Sequence, residues 1–182
     1  MNPSTPFLMR IATILLAVAV PVVLVLTSVR LVFTPALVDL AYRTPGFPED
    51  PYGFTTEDRV RHAKIDLEYL YNDAGPEFLG DLRFEDGTPV YNEREIRHMV
   101  DVKRVFQTAL RVWGAALTAI VVLALIVWKG GGAALLKQGL HWGSKATLIA
   151  IGAVTVALVV GFGVFFVAFH RVFFVGDSWL FL

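Results

Sequence analysis

Not one of the 182 residues is a cysteine. That excludes disulfides, thiolate nucleophiles, cysteine-ligated zinc and iron–sulfur clusters, so any chemistry must use oxygen or imidazole groups. Charge is also scarce: 18% of residues are charged against 55% hydrophobic. Mean hydropathy is positive, a more apolar balance than in ordinary soluble domains. The chain contains no Gly-x-Ser-x-Gly elbow, no His-x3-His or His-Glu-x2-His pair, no internal repeat and no low-complexity segment. A serine hydrolase and a metal site of fixed ligand spacing are therefore disfavoured. No cofactor, metal or nucleic acid is expected, and the chain is taken as a monomer.

What is present reads as a small integral membrane protein. Charge is missing altogether from Ile11 to Val29, from Val112 to Trp128 and from Ala146 to Phe169. At a rise of about 1.5 Å per residue, runs of this length approach the roughly 30 Å hydrocarbon core. The first is expected to be an uncleaved anchor, because a signal peptide would have a shorter apolar region followed by a small-x-small cleavage site. Lys129, Lys137 and Lys145 lie between the second and third runs with no acidic residue among them, which places that connection in the cytoplasm. By contrast, 15 of the 16 acidic and 10 of the 16 basic residues fall between Arg30 and Arg104, in one polar block on the extracytoplasmic side.

The expected divisions are a transmembrane helix over 1–30, an extracytoplasmic cap over 31–92, and an interfacial helix continuing into the second span over 93–129. A cytoplasmic loop over 130–145, a third transmembrane helix over 146–170 and an extracytoplasmic aromatic segment over 171–182 follow. The fold class is mainly α: a polytopic α-helical membrane protein with three visible transmembrane helices and a small α/β cap. Within the cap, Thr55-Thr-Glu-Asp looks like a helix start, followed by Val60, Ala63, Leu67, Leu70 and Tyr71 at helical spacing. Leu82-Arg-Phe, the Asp86-Gly87 turn and Val90-Tyr91 suggest a short hairpin, its second strand confined to an edge by Pro89.

The segment Tyr91–Lys103, "YNEREIRHMVDVK", holds eight ionisable residues just before an apolar run. Asn92 can cap a helix whose third residue is Glu95, with Tyr91 and Ile96 at the staple positions. No stop signal occurs before Gly130, so this helix should run unbroken into the second span. Glu95, His98 and Asp101 then share a face at i, i+3 spacing. At the far end, "FFVAFHRVFFVGDSWLFL" from Phe165 to Leu182 brings His170 and Arg171 out of the third span among Phe165, Phe166, Phe169, Phe173, Phe174 and Trp179. By the charge bias His98 and His170 emerge at one interface, where two imidazoles can divide the roles of base and acid.

Plainer readings stand beside this one. A lone interfacial histidine is most often a polar anchor, and aromatics at a span's end form a belt. His62, between Arg61 and Lys64, reads as a solvated surface residue, and His141 lies among lysines with no assigned chemistry. A non-catalytic membrane subunit or sensor, whose cap binds a partner protein, is the competing function class.

"NEREIRHMVDVK" from Asn92 to Lys103, then a span, then another ending in "FHRVFFVGDSW" from Phe169 to Trp179, resembles the lipoprotein intramolecular transacylases, the Lit family of bacterial membrane enzymes. The resemblance covers the whole visible architecture. It implies an acyltransferase of the bacterial cytoplasmic membrane, acting at the extracytoplasmic face on diacylglyceryl-modified lipoproteins and membrane lipid. The sn-2 acyl chain would move to the α-amino group of the N-terminal cysteine, leaving a lyso-form lipoprotein. Its two catalytic histidines map onto His98 and His170. Glu95 or Asp101 would orient His98, Arg97 and Arg171 would hold charge near an oxyanion or lipid phosphate, and Met99, Phe169, Phe173, Phe174 and Trp179 would wall the pocket. The resemblance also implies a fourth span after the tryptophan motif, whereas the residues to Leu182 supply three.

Overall fold

The structure, a computed structural model, describes residues 4–174, 176 and 178–180. Of the expected segments, residues 1–3 of the first helix and residues 175, 177, 181 and 182 of the aromatic end lie outside the described residues. Six helices are present among those described: α1 Ser4–Val32, α2 Pro35–Arg43, α3 Thr56–Tyr71, α4 Glu77–Gly80, α5 Glu93–Lys129 and α6 Ala133–Phe173. Three of them, α1, α5 and α6, are long and apolar enough to cross a membrane, and the chain is a membrane protein. It divides into two compact units, Met1–Ser28 with Ala109–Phe166, and Val29–Thr108 with Val167–Leu182.

The first unit is built from the apolar runs. Its tightest packing lies along a stripe of small residues on α6, where Gly139, Gly143 and Thr147 are buried. A Cβ on Gly143 would fall 2.6 Å from the Val20 Cβ and 2.9 Å from the Ala17 carbonyl oxygen, and one on Gly139 would meet Thr13 O at 3.0 Å. Small residues at every fourth position let two helix backbones approach closely where lipid offers no hydrophobic drive for association. Leu16 and Val20 of α1 are buried in that contact. Trp113 of α5 donates from Nε1 to Thr27 Oγ1 at 2.9 Å, tying a second helix to α1.

A loop over 130–145 is expected from the lysines, but only Gly130 to Gly132 separate α5 from α6. Gly131 has φ +76, the left-handed turn that glycine adopts at least cost. From Ala133 onward no proline or further turn residue interrupts the helix, and its lysines sit on a continuous α6 whose geometry breaks once, at Gly161.

The second unit is the polar block. Thr55 and Asp58 form the reciprocal capping box that starts α3. Val60, Leu67 and Leu70 are buried as the spacing predicts, and Tyr69 joins them, more deeply buried still. Lys103 of α5 is also buried, at 8% exposure. Its ammonium lies 4.0 Å from the centre of the Tyr69 ring and donates to Asn72 Oδ1 at 3.0 Å and to Ala74 O at 2.6 Å. Gln107 Nε2 donates to Asn72 O at 3.0 Å, so two side chains of α5 serve carbonyls at the end of α3.

The expected α/β character of the cap is not found. Among the described residues there is no strand, only one isolated bridge between Arg83 and Pro89. A tight turn forms, with Phe84 N–H donating to Thr88 O at 2.9 Å and Val90 N–H to Leu82 O at 3.1 Å. Asp86 secures it by accepting from Thr88 N–H at 2.9 Å. Pro89 brings no N–H, and Asn92 already caps the next helix, so the ladder has neither a donor nor the length to extend.

Candidate functional site

α5 begins at Glu93 as the sequence predicts. Asn92 Oδ1 accepts from Arg94 N–H at 2.9 Å and from Glu95 N–H at 3.0 Å, while the Glu95 carboxylate accepts from Asn92 N–H at 2.8 Å. This box fixes where the first turn starts and hence which face carries His98. It also engages Glu95 at the helix end, leaving Asp101 as the carboxylate beside the imidazole.

His98 meets His170 within the second unit. Their ring centres are 6.3 Å apart with planes 28° from parallel. Phe174 touches both, at 5.2 Å from His98 and 5.4 Å from His170. Trp179, 5% exposed, lies 4.9 Å from His170 with its plane tilted 32°. Phe169 approaches the same imidazole edge-on at 5.6 Å and pairs with Phe173 at 4.7 Å. Two imidazoles thus share an aromatic enclosure supplied by the end of α6 and the residues that follow it.

The returning segment has a specific hold. Gly176 adopts φ +85, a conformation glycine reaches without Cβ strain. Beyond it, Ser178 Oγ donates to Asp101 Oδ2 at 3.2 Å, and Trp179 Nε1 donates to Gly176 O at 3.2 Å. Asp101 therefore connects the helix that carries His98 to the segment that covers His170. Its other oxygen, Oδ1, lies 3.3 Å from Arg104 Nη1.

α5 has 37 residues, about 55 Å of helix, so its charged first half projects well beyond a core of roughly 30 Å. His98 is in that projecting half, outside the uncharged run. Burial, more than any neighbour, holds its imidazole below the ordinary value of 6.5; the charge on His170 pushes the same way and Asp101 opposes. Its Nδ1 is turned away from solvent. A half-buried imidazole with a lowered pKa is neutral at pH 7 and can accept a proton.

The remaining predicted residues are placed differently. Arg97 is exposed and 3.9 Å from Glu93, one turn back on the same helix. Arg171 is exposed and Met99 half-buried. Phe173 is 48% exposed, a surface that suits contact with lipid. No cluster of three or more metal-ligating side chains occurs among the described residues. Ser178 was not legible from the sequence, where it looks like one more polar residue in a turn. His62, read as solvated, stands between Phe54 and Phe84 at 6.2 and 6.1 Å.

Comparison with known proteins gives the family of the chain. A family model described as "Lipoprotein intramolecular transacylase Lit" matches residues 14–182. A protein of Aquifex aeolicus (strain VF5), described only as uncharacterized, is 26% identical over 129 residues, covering 66% of this chain. The chain spans 59% of the length of that relative. No solved structure matches.

Proposed function

The chain belongs to the lipoprotein intramolecular transacylase family, and from that premise we propose that it moves the sn-2 acyl chain of a diacylglyceryl-modified lipoprotein to the α-amino group of its N-terminal cysteine. His98 and His170 act as the general base and acid, at the extracytoplasmic face of a bacterial cytoplasmic membrane. The observation that carries this reading is the facing pair of imidazoles, 6.3 Å apart inside an aromatic enclosure.

One imidazole accepts a proton from the cysteine amine as its nitrogen attacks the ester carbonyl. The C–N bond forms, the tetrahedral centre collapses, and the ester C–O bond breaks. The other imidazole, protonated, gives its proton to the departing glyceryl oxygen. One ring gains a proton and the other loses one, so exchange through solvent restores the pair. Amine and ester belong to one molecule, so the protein's main task is to hold them in contact. In a near-attack geometry the amine nitrogen lies about 3–3.5 Å from the ester carbonyl carbon. Asp101 and Ser178 position the pair, and Phe169, Phe174 and Trp179 exclude water. Arg171 supplies positive charge for a lipid phosphate or the developing oxyanion.

The test uses the full chain in bilayer nanodiscs with a synthetic diacylglyceryl lipopeptide. The reaction conserves mass, so fragment ions must locate the acyl group on the cysteine nitrogen. His98→Ala and His170→Ala should each lower the rate by roughly 100-fold or more, the usual scale of a lost acid or base. Undiminished transfer in either variant would remove that histidine from the mechanism.

A further inference from the structure

A second feature, in the first unit and independent of the reaction, is a cleft of about 770 Å³ between α1 and the start of α6. Ile14, Ala17, Val18 and Ala146 form its apolar lining, with Ile14 and Val18 largely exposed. Arg10, Gln138 and Trp142 also line it. An adjoining cleft shares Gln138 and Trp142 and adds Lys137, and Lys145 Nζ sits 5.3 Å from the Trp142 ring centre. A Cβ on Gly130 would lie 2.9 Å from Met9 Sδ, so Arg10 stands beside the turn that follows Lys129.

The charge around this cleft is of one sign. The sequence has no Asp or Glu in residues 1–38 or 102–176. Arg10, Lys129, Lys137 and Lys145 therefore have no carboxylate in the unit to neutralise them. An apolar cleft lined by Arg10 and Trp142, with Lys137 in the adjoining one, complements an amphiphile with a negative head. Tryptophan and lysine at a span's end mark the depth of the headgroups, and basic pockets between spans bind anionic head groups.

We propose that this cleft holds one anionic diacyl phospholipid of the leaflet on the lysine side of the membrane. An acyl chain lies along Ile14 and Val18, and the phosphate meets Arg10 and Lys137 below the Trp142 ring. This lipid is neither substrate nor product. It braces the closely packed contact of α1 with α6.

The test is the selectivity of spin-labelled lipids for the full chain in phosphatidylcholine bilayers at low salt. Labelled phosphatidylglycerol should associate several-fold more strongly than labelled phosphatidylcholine. Arg10→Gln with Lys137→Gln should abolish that several-fold preference. Val18→Trp, at a residue 64% exposed, fills the cleft while keeping every charge, so it should also release the lipid that native mass spectrometry finds retained. Equal association of the two lipids with the unaltered chain would overturn the proposal. So would a preference that survives Val18→Trp, because the cations alone would then be attracting lipid at the general surface.

Discussion

Lys103→Met isolates the strongest single contact in the cap. In the native chain the ammonium makes two hydrogen bonds, to Asn72 Oδ1 and Ala74 O, and covers the Tyr69 ring. Hydrogen bonds to charged groups contribute about 1.5–3 kcal/mol each, and a partly desolvated cation–π contact about 1–2 kcal/mol. Against this, methionine relieves the desolvation of a buried cation, a recovery of several kcal/mol, and keeps most of the packing of the lysine stem. It also leaves the Ala74 carbonyl without its donor, at about 1–3 kcal/mol. The balance is a destabilisation of about 2–4 kcal/mol. Its neighbour gives the internal control: Arg104, with 74% of its side chain exposed, pairs with Asp101 at 3.3 Å, and an exposed pair of that kind is worth about 0–1 kcal/mol. Reversible unfolding in mixed micelles with increasing dodecyl sulfate measures both variants. Hydrogen exchange at residues 72–75 should rise in Lys103→Met and stay unchanged in Arg104→Gln. A loss below about 1 kcal/mol in Lys103→Met, or equal losses at the two positions, would refute the assignment of Lys103 as the peg between α5 and the end of α3.

Other outcomes follow from the same geometry. Asp66, accepting from Tyr91 OH at 2.8 Å, has its carboxyl raised above 3.8 chiefly by burial. A raised acid contributes stability that is full below pH 3.8 and is lost as pH rises through the higher folded value. Asp66→Asn keeps an acceptor for Tyr91 and removes that loss, so unfolding measured from below pH 3.8 up to pH 7 should show a flatter dependence than in the native cap. His98 should titrate below 6.5 in ¹⁵N NMR; His170→Gln should raise it by removing a like charge, and Asp101→Asn should lower it further. Ser178→Ala removes the hydroxyl that Asp101 holds; roughly a tenfold fall in kcat for acyl transfer, about 1.4 kcal/mol, with little change in KM, is expected from steady-state assays on lipopeptide.

The start of α5 could be read from four residues, because a capping box is a local device whose partners are near in sequence. Its far end at Lys129 was equally legible from the glycines that follow. The hairpin was not, because strand formation depends on donors and length that a turn dipeptide does not guarantee, and Pro89 removed one donor. The lysines between the spans were read as a loop because charge marks water, yet charge does not stop a helix. Lys103 looked like one more member of a solvated ledge, and only the position of Tyr69 and the carbonyls of residues 72–74 shows it to be buried. The histidine pair was foreseeable as two emergences at one interface. Glu95 could serve the cap or the imidazole, and its carboxylate accepts from Asn92 N–H in the cap. The contact from Ser178 to Asp101 joins residues far apart in the chain, beyond the reach of periodicity.

The return of Ser178 and Trp179 onto Asp101 and His170 also orders events in time. His98 leaves the ribosome about seventy residues before His170, an interval of roughly 4–14 s at ordinary rates of synthesis. Throughout it, His98 has neither its facing imidazole nor the aromatic side chains around the pair. A nascent chain inserted as far as α5 therefore carries His98 without its partner imidazole. The pair forms only when α6 has been delivered and the residues after it have turned back onto Asp101, so the order of the chain delays assembly of this cluster until α6 is in place.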